Sequence, residues 1–249
     1  MSGHSHAANI KHKKAAADAK KGKEFSRWAK AIMLAARTGG GVVDSNLALG
    51  YAIAKAKACN MPRDTIERAV KKGTGELGGG ELSEMTYEIV GPGGVAILVE
   101  CLTDNKNRTA PEMRKLFEQK NAKSSQVAWM FDKKGVIVLP KSVAQEDDVM
   151  TVALDAGAED MQTQDESYEI VTAPTAFEGV RQAIEKKGWK AEVAEVMTVP
   201  KNRIEITDPK VARKVLDLLE AIDDHDDVQN VASNQAISDE VEAQAKAMG

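Results

Sequence analysis

The residues of this sequence that could do chemistry are mostly cations, and they are concentrated in one stretch. From Lys11 to Gly75 there are fifteen lysines and arginines but only five acids, which gives this stretch a net charge of +10. Because the whole chain carries −4, the remainder carries −14. A block of positive charge attracts polyanions, of which nucleic acid is the commonest. Charge alone would also suit an acidic protein or an anionic membrane surface.

The predicted nucleic-acid-binding residues are these cations and one histidine beside them. They are Lys11, His12, Lys13, Lys14, Lys20, Lys21, Lys23, Arg27, Lys30, Arg37, Lys55, Lys57, Arg63, Arg68, Lys71 and Lys72. Contacts from such side chains to phosphate set affinity and register, but they do not read the base sequence. No helix-turn-helix with a base-reading helix can be identified. In the alternative interpretation the cations form a solvated helix face, supported by Asp64–Arg68 and Glu67–Lys71 pairs.

No other group of residues matches the pattern of a catalytic site or of a zinc site. His4, His6 and His12 fit the spacing of no zinc module, and Cys59 and Cys101 are expected to be reduced thiols. No nucleophile–base arrangement emerges. We therefore expect a non-enzymatic protein without cofactor, metal or small-molecule substrate.

Three polar or glycine-rich motifs have structural interpretations. Gly91–Gly94 precedes a strand rather than a helix, which favours a tight turn over a phosphate-binding loop. Asp104–Arg108 is predicted to be a polar loop before a helix that begins with a capping box, Thr109–Glu112. The acidic run Asp223–Asp227 has four interpretations: a magnesium site, a solvated turn, a contact for a basic partner protein, or a contact with the basic stretch of the same chain. The last of these would make the molecule self-inhibiting.

Composition places the chain among globular proteins with aliphatic cores. Its 249 residues suit one large domain or two to three small ones, and only 4% of them are aromatic. The first twenty residues are polar and basic, unlike a secretory signal. The apolar run Val95–Val99 is far too short to span a bilayer. A cytoplasmic protein without a membrane partner is expected.

The basic stretch is predicted to contain three helices. One apolar stripe at helical spacing predicts a helix over Lys23–Arg37 with its cations on the opposite side; the stripe is Phe25, Trp28, Ala29, Ile32 and Ala36. Asn46 is a plausible N-cap of the second helix, and Pro62 suits the start of the third. Inward-facing residues of these two are predicted to be Leu49, Ala52, Ile53, Ala56, Ile66, Ala69 and Val70.

Beyond a glycine-rich linker the pattern changes to alternating strands and helices. Residues 135–200 follow the order βαββαβ of a ferredoxin-like unit. A ββα segment before it, Tyr87–Lys120, lacks a closing half, which residues 203–232 can supply. The predicted class is therefore α+β multidomain, with an N-terminal helical domain and two α/β domains, one inserted in the other. The predicted domains are 1–77, then 82–131 with 201–240, and the insertion 132–200.

Many segments along the chain resemble the YebC/PmpR family. They are Gly3–Ser5, Ala8–His12, Lys14–Ala16, Asp18–Lys23, Ala36–Gly41, Ala56–Lys57, Asn60–Pro62, Ile66–Ala69, Lys71–Gly75, Gly91–Val95, Leu102–Asn105, Asn107–Thr109, Val127–Phe131, Gly157–Asp160 and Asp226–Asn230. The resemblance implies a three-domain, non-enzymatic cytoplasmic regulator of gene expression. It implies either a DNA-binding transcriptional regulator or a translation factor that contacts rRNA or tRNA on the ribosome.

The chain departs from the family pattern at two places. His6-Ala7 stands where the family usually has Lys-Trp, and Asn46–Gly50 reads Asn-Leu-Ala-Leu-Gly where the family usually has Asn-Pro-Arg-Leu-Arg. Two arginines, a lysine and a stacking aromatic are thus missing. Each lost phosphate contact lowers the salt slope of binding by about 0.9 for duplex DNA. Weaker or altered binding with an unchanged fold is expected.

Overall fold

A computed structural model describes residues 21–77 and 82–248. The described α-helices are α1 (Lys21–Gly39), α2 (Leu47–Ala58), α3 (Arg63–Gly73), α4 (Lys106–Gln119), α5 (Glu146–Asp155), α6 (Phe177–Lys186), α7 (Pro209–Asp223) and α8 (Asp239–Ala247). The described strands are β1 (Ser83–Val90), β2 (Ala96–Thr103), β3 (Lys123–Ser124), β4 (Phe131–Pro140), β5 (Ala158–Thr163), β6 (Ser167–Thr172), β7 (Val193–Pro200), β8 (Ile204–Glu205), β9 (Val228–Ser233) and β10 (Gln235–Ala236). We call residues 21–77 the head and residues 82–248 the body.

The head is a three-helix unit with its own apolar core. The predicted stripe of α1 packs on α2 and α3, and its Ile32 and Ala36 are buried together with Leu49, Ala52 and Ile66. Burial of one face of each helix is what stabilises helices of this length. The predicted inward faces of all three helices are confirmed, with the partly buried Ile53 and Val70 packed against the core.

Two residues fix how the head helices meet. The amide of Asn46 accepts a hydrogen bond from the N–H of Leu49 at 3.1 Å, which confirms it as the N-cap of α2. The same amide donates to the carbonyls of Ala35 and Gly40, both at 2.8 Å, and so ties α2 to the end of α1. At Gly73 a Cβ would lie 2.4 Å from the carbonyl oxygen of Met33, so α1 and α3 approach closely there because the residue is glycine.

The body begins and ends with one antiparallel sheet, which we call the central sheet. Its strand order is β3-β1-β2-β9, so β2 pairs both with β1 and with β9 from the far end of the chain. Helices α4, α7 and α8 cover one face, where Ile97 and Val99 are buried with Met113, Leu218 and Ala245. A tight turn at Pro92–Gly94 joins β1 to β2, with positive φ at Gly93 and Gly94, as predicted.

A second antiparallel sheet, the inserted sheet, is built from the contiguous strands β4 to β7. Its order, β5-β6-β4-β7, together with α5 and α6, is the ferredoxin-like βαββαβ arrangement. The helices lie on one face, with Ile137 and Ile170 buried against Val149, Val180 and Ile184. The predicted α+β multidomain class, with one α/β unit inserted in the other, is confirmed. The exact domain limits stay a prediction.

The prediction for residues 104–112 is wrong in two respects. Helix α4 begins at Lys106, with Asn105 as its N-cap accepting from the N–H of Arg108 at 3.1 Å. Thr109 therefore lies inside the helix and does not cap it. Asn105 is at least as good a cap as threonine. Pro111 lies inside α4, where it has no N–H to donate to the carbonyl of Asn107. The sequence patterns did not predict β3, β10 or α8.

Within residues 21–77 and 82–248, no helix combines the length and apolar character that a membrane span needs.

Candidate nucleic-acid interface

The outer surface of α3 is the most exposed cationic part of the head. Pro62 stands at the N-cap with an extended backbone (φ −58°, ψ 141°), and Ile66 and Ala69 are buried against α1. Helical geometry then turns the remaining faces of α3 toward solvent. The exposed cations of α3 and the end of α2 are Lys57, Arg63, Arg68, Lys71 and Lys72. We call these five residues the α3 surface.

Four of the five cations of the α3 surface are not neutralised by described residues. Arg63 pairs with Glu67 of its own helix at 2.7 Å. The other four form no ion pair with any residue in the described ranges. The Asp64–Arg68 and Glu67–Lys71 pairs of the alternative interpretation are not among the ion pairs of the described residues. Glu67 pairs with Arg63 instead of Lys71. A concentration of positive charge thus faces solvent on α3.

Three cations of α1, Lys23, Lys30 and Arg37, contact the body instead. Lys30 Nζ donates to Asp227 Oδ1 at 2.5 Å and to the carbonyl of Asp226 at 2.9 Å. Only 13% of the Lys30 side chain and 1% of the Asp227 side chain are exposed, so this pair is largely removed from water. Lys23 lies 3.7 Å from Asp223 and 3.9 Å from Asp224, both of which are almost half exposed. The acidic run Asp223–Asp227 therefore contacts the basic stretch of the same chain.

Asp227 is the most heavily hydrogen-bonded carboxylate in this contact. Besides Lys30, it accepts from Arg108 at 2.9 Å and from the Thr109 hydroxyl at 2.6 Å. Its own N–H donates to His225 Nδ1 at 3.2 Å. Burial alone would raise the pKa of Asp227, but the hydrogen bonds from Lys30, Thr109 and Arg108 outweigh burial and hold that pKa well below its usual range. The residue is therefore an anion that joins three elements.

This corner also holds the closest approximation to a metal site among the described residues. Ligand atoms of Glu112, His225 and Asp227 lie within 4.8 Å of one another. Both oxygens of Asp227, however, already accept hydrogen bonds, from Lys30 and Arg108, which supply the positive charge that a metal ion would. His225 Nε2 lies 3.2 Å from Glu112. We therefore assign no metal to these residues.

Helix α2 makes a second contact with the body, at the edge strand β7. Lys55 Nζ lies 3.4 Å from Glu195 Oε2, and the Tyr51 hydroxyl donates to the same oxygen at 3.3 Å. Burial, and then the charge of Glu195, raise the pKa of Tyr51. Lys55 also lies over the Tyr51 ring, 5.4 Å from its centroid.

Where head and body meet, a cleft of about 110 Å³ has more cations than acids in its lining. Lys30, Arg37 and Lys72 line it with a single acid, Asp104. Arg37 donates to the carbonyl of Leu82 at 3.1 Å, at the start of the body.

The predicted binding residues therefore fall into groups that the sequence did not separate. Five of them, Lys11, His12, Lys13, Lys14 and Lys20, lie outside the described residues. The α3 surface faces solvent, whereas Lys23, Lys30, Arg37 and Lys55 contact the body. Arg27 is half-buried and Lys21 begins α1. Of the body residues in these contacts, the sequence predicted only the acidic run. The prediction of a plain polar loop at Asp104–Arg108 is wrong, and no local pattern indicated Glu195.

Apolar side chains are exposed in and beside Asn46–Gly50, the segment in which the sequence departs from the usual family pattern. Leu47 is 89% and Tyr51 43% exposed, beside Val42 and Val43 in the preceding turn. The exposed charge in this turn is the acid Asp44, and the nearby cation Lys55 is paired with Glu195. Among the described residues of the head, the exposed cations are Arg37 and those of the α3 surface.

Comparisons with known proteins cover nearly the whole chain. A family model described as "TACO1/YebC protein N-terminal domain" matches residues 5–76, and one described as "TACO1/YebC second and third domain" matches residues 82–235. The chain is 50% identical over 245 residues to a "Probable transcriptional regulatory protein" of Dictyoglomus turgidum, covering 97% of this chain and 98% of that one. It is also 50% identical over 243 residues to the "Probable transcriptional regulatory protein GSU1074" of Geobacter sulfurreducens, covering 96% and 98%.

A solved structure supports the same assignment. The crystal structure of "Conserved Hypothetical Protein Aq1575" from Aquifex aeolicus superposes with a TM-score of 0.79 at 39% identity, over 90% of this chain and 94% of that one. The resemblance to the YebC family seen in the sequence is thereby confirmed. The head, the two α/β units and the sequence agree on one conclusion, that this chain belongs to the TACO1/YebC family.

Proposed function

We propose that this protein is a non-enzymatic regulator of gene expression that binds nucleic acid, in the first instance duplex DNA, through phosphate contacts from its head. The names of its relatives, probable transcriptional regulatory proteins, support the regulatory role. The alternative is a translation factor that binds rRNA or tRNA on the ribosome with the same residues.

One observation carries this proposal. Lys57 at the end of α2 and Arg68, Lys71 and Lys72 of α3 are exposed and have no ion pair with described residues. A solvated cation without a protein partner is available to phosphate at little desolvation cost. Arg37, exposed at the end of α1, extends the cationic area toward the cleft.

The test replaces three cations that lie on one face of α3. The variant Arg68→Gln/Lys71→Gln/Lys72→Gln should bind duplex DNA more weakly, and its plot of log affinity against log salt should flatten by up to about 2.7, at about 0.9 per lost contact. Fluorescence anisotropy over a salt series measures both quantities. These side chains are exposed, so stability should hardly change.

The matched control removes three exposed lysines from the body, Lys186→Gln/Lys187→Gln/Lys190→Gln. It changes net charge by the same amount, and its salt slope should equal that of the unmodified protein. Equal losses in both triple variants would mean that only overall charge matters and that the α3 surface is not the binding site.

The same titrations with structured RNA and with ribosomes separate the two candidates. The α3 surface offers contacts to phosphate but no identified base-reading helix, so it does not select between DNA and RNA. Tighter binding to ribosomes than to duplex DNA, abolished by the α3 triple variant, would establish the translation alternative in place of the transcriptional one.

A further inference from the structure

The body holds cations of the head at two separate places. At the first, Lys30 and Lys23 of α1 face the turn that follows α7, with Asp227 at 2.5 Å and Asp223 at 3.7 Å. At the second, Lys55 of α2 faces Glu195 on the edge strand β7 at 3.4 Å. All three lysines belong to the basic stretch, and all three carboxylates belong to the acidic remainder of the chain.

The described contact between head and body is polar. Each buried apolar cluster in the described ranges lies entirely in the head or entirely in the body, and none spans the two. Interfaces without a sizeable apolar area permit relative motion of the units that they join. Partly exposed ion pairs such as Lys55–Glu195 are individually weak and are screened by salt. The shortest ion pair between head and body is Lys30–Asp227, which is shielded from water.

We propose that the acidic surface of the body, formed by Asp223, Asp224, Asp227 and Glu195, competes with nucleic acid for the cations of the head. This inference rests on the function proposed above and adds its regulation. We call the arrangement with the head resting on the body closed. In the closed arrangement Lys23, Lys30 and Lys55 are held by carboxylates, whereas the α3 surface is open to nucleic acid. When the head moves off the body, Lys23, Lys30 and Lys55 exchange their carboxylates for phosphates.

The competition follows from the kind of bond that each lysine makes. An ammonium group makes charge-assisted hydrogen bonds to carboxylate and phosphate oxygens alike, so the two anions compete for the same three donors. Because the head must first separate from the body, the free energy of that separation weakens the observed affinity for nucleic acid. Coupling between two such equilibria commonly amounts to roughly 5-fold to 150-fold in affinity.

The first experiment neutralises the acids that face the head but not the buried one. The full-length variant Glu195→Gln/Asp223→Asn/Asp224→Asn should bind nucleic acid at least about fivefold more tightly, at the lower end of common coupling strengths because Lys30–Asp227 persists. Asp227 is left in place because it also holds Arg108 and Thr109 within the body.

A charge-matched control removes three acids that lie away from the head contacts. Asp148, Asp155 and Asp165 are exposed on the inserted unit and have no ion pair with described residues. The variant Asp148→Asn/Asp155→Asn/Asp165→Asn gains the same three units of charge, so it reports the general effect of charge. Similar gains in affinity for both triple variants would overturn the inference.

The second experiment detects the closed arrangement directly. A carbodiimide joins a lysine to a neighbouring carboxylate as an amide, and mass spectrometry locates the bond. In the free protein we expect Lys55–Glu195 and Lys23–Asp223 links, which should decline when duplex DNA or RNA is added. The Lys134–Glu159 pair, at 2.7 Å within the inserted unit, is the internal control and should stay constant.

The outcomes distinguish this inference from the proposed function. If nucleic acid binds and the head–body links persist undiminished, the competition is refuted while the proposed function stands. If only the acid-neutralised variant binds, the competition is supported and the free protein is closed. If neither protein binds nucleic acid, the proposed function fails and the inference fails with it.

Discussion

At the scale of single residues, Asp227 does the most to join the parts of this molecule. Its carboxylate accepts from Lys30 of the head and from Arg108 and Thr109 of α4, although the side chain is only 1% exposed. A buried carboxylate is costly unless it is paired and hydrogen-bonded. Here three donors meet that requirement, so the residue links head and body through charge.

Replacing Asp227 by asparagine should therefore destabilise the protein. The change keeps the shape of the side chain but leaves Lys30 without the carboxylate that it pairs with, whereas Arg108 keeps its pairs with Asp104 and Glu112. Breaking a buried pair from one side typically costs about 3–5 kcal/mol, and the partial exposure of Arg108 places the expected loss at about 3 kcal/mol. Urea unfolding measures it. Asp132→Asn, which removes an exposed pair with Lys201 at 3.3 Å, should cost less than about 1 kcal/mol. Equal losses would contradict the special role of Asp227.

The free energy of unfolding should also depend on pH because of Asp227. The pKa of Asp227 is lowered in the folded protein, whereas in the unfolded chain it returns to about 3.9. Between these two values the unfolded state binds more protons, so the stabilisation is complete above the unfolded pKa and declines as pH falls below it. The difference in unfolding free energy between the unmodified protein and Asp227→Asn should be constant near neutral pH and shrink below about pH 4. A difference that grows on acidification would show the opposite sign of the pKa shift.

At the scale of elements, the head depends on the close approach of α1 and α3. Gly73 lies in the last turn of α3, and a Cβ there would stand 2.4 Å from the Met33 carbonyl oxygen and 2.8 Å from the Ala36 Cβ. Alanine is ordinarily the better helix former by about 0.5–1 kcal/mol. At this position packing outweighs propensity, because backbone atoms of α1 occupy the space.

The substitution Gly73→Ala should consequently destabilise the head, by about 1–3 kcal/mol as for other overpacked sites. Gly50→Ala is the matched change in α2, where the new Cβ would make an ordinary 3.5 Å contact with Val43. That variant should be neutral or slightly stabilised. Thermal unfolding followed by circular dichroism compares the two, and a stabilised Gly73→Ala protein would contradict the packing that the structure describes.

At the scale of the whole molecule, the separation of charge has two consequences. It gives the head a solvent-facing cationic area on α3, and it supplies the body with the carboxylates that hold Lys23, Lys30 and Lys55. The exposed cationic area favours the binding of nucleic acid, whereas the carboxylates of the body oppose it. Affinity should therefore depend on how firmly the head rests on the body as well as on the number of cations, and the acid-neutralised triple variant tests this balance.

Local patterns in the sequence were sufficient for much of this description. The stripe that includes Ile32 and Ala36 predicts α1, Asn46 predicts the start of α2, and the order of strands in residues 135–200 predicts the inserted ferredoxin-like unit. Helix periodicity, capping and strand alternation act over a few residues, so a short window contains the information. The cap of α4 was misplaced because Asn105 and Thr109 are both good caps, and only the backbone distinguishes them.

The sequence by itself determined the helical head, the α/β class of the body and the sign of the charge on each. Only the tertiary structure decided which cations remain open to a partner. Lys30 meets Asp227 across 197 positions of sequence, and Lys55 meets Glu195 across 140. Such pairings depend on how the folded units dock. Docking is determined by the charge and shape of whole surfaces, which the local periodicity of a sequence does not indicate.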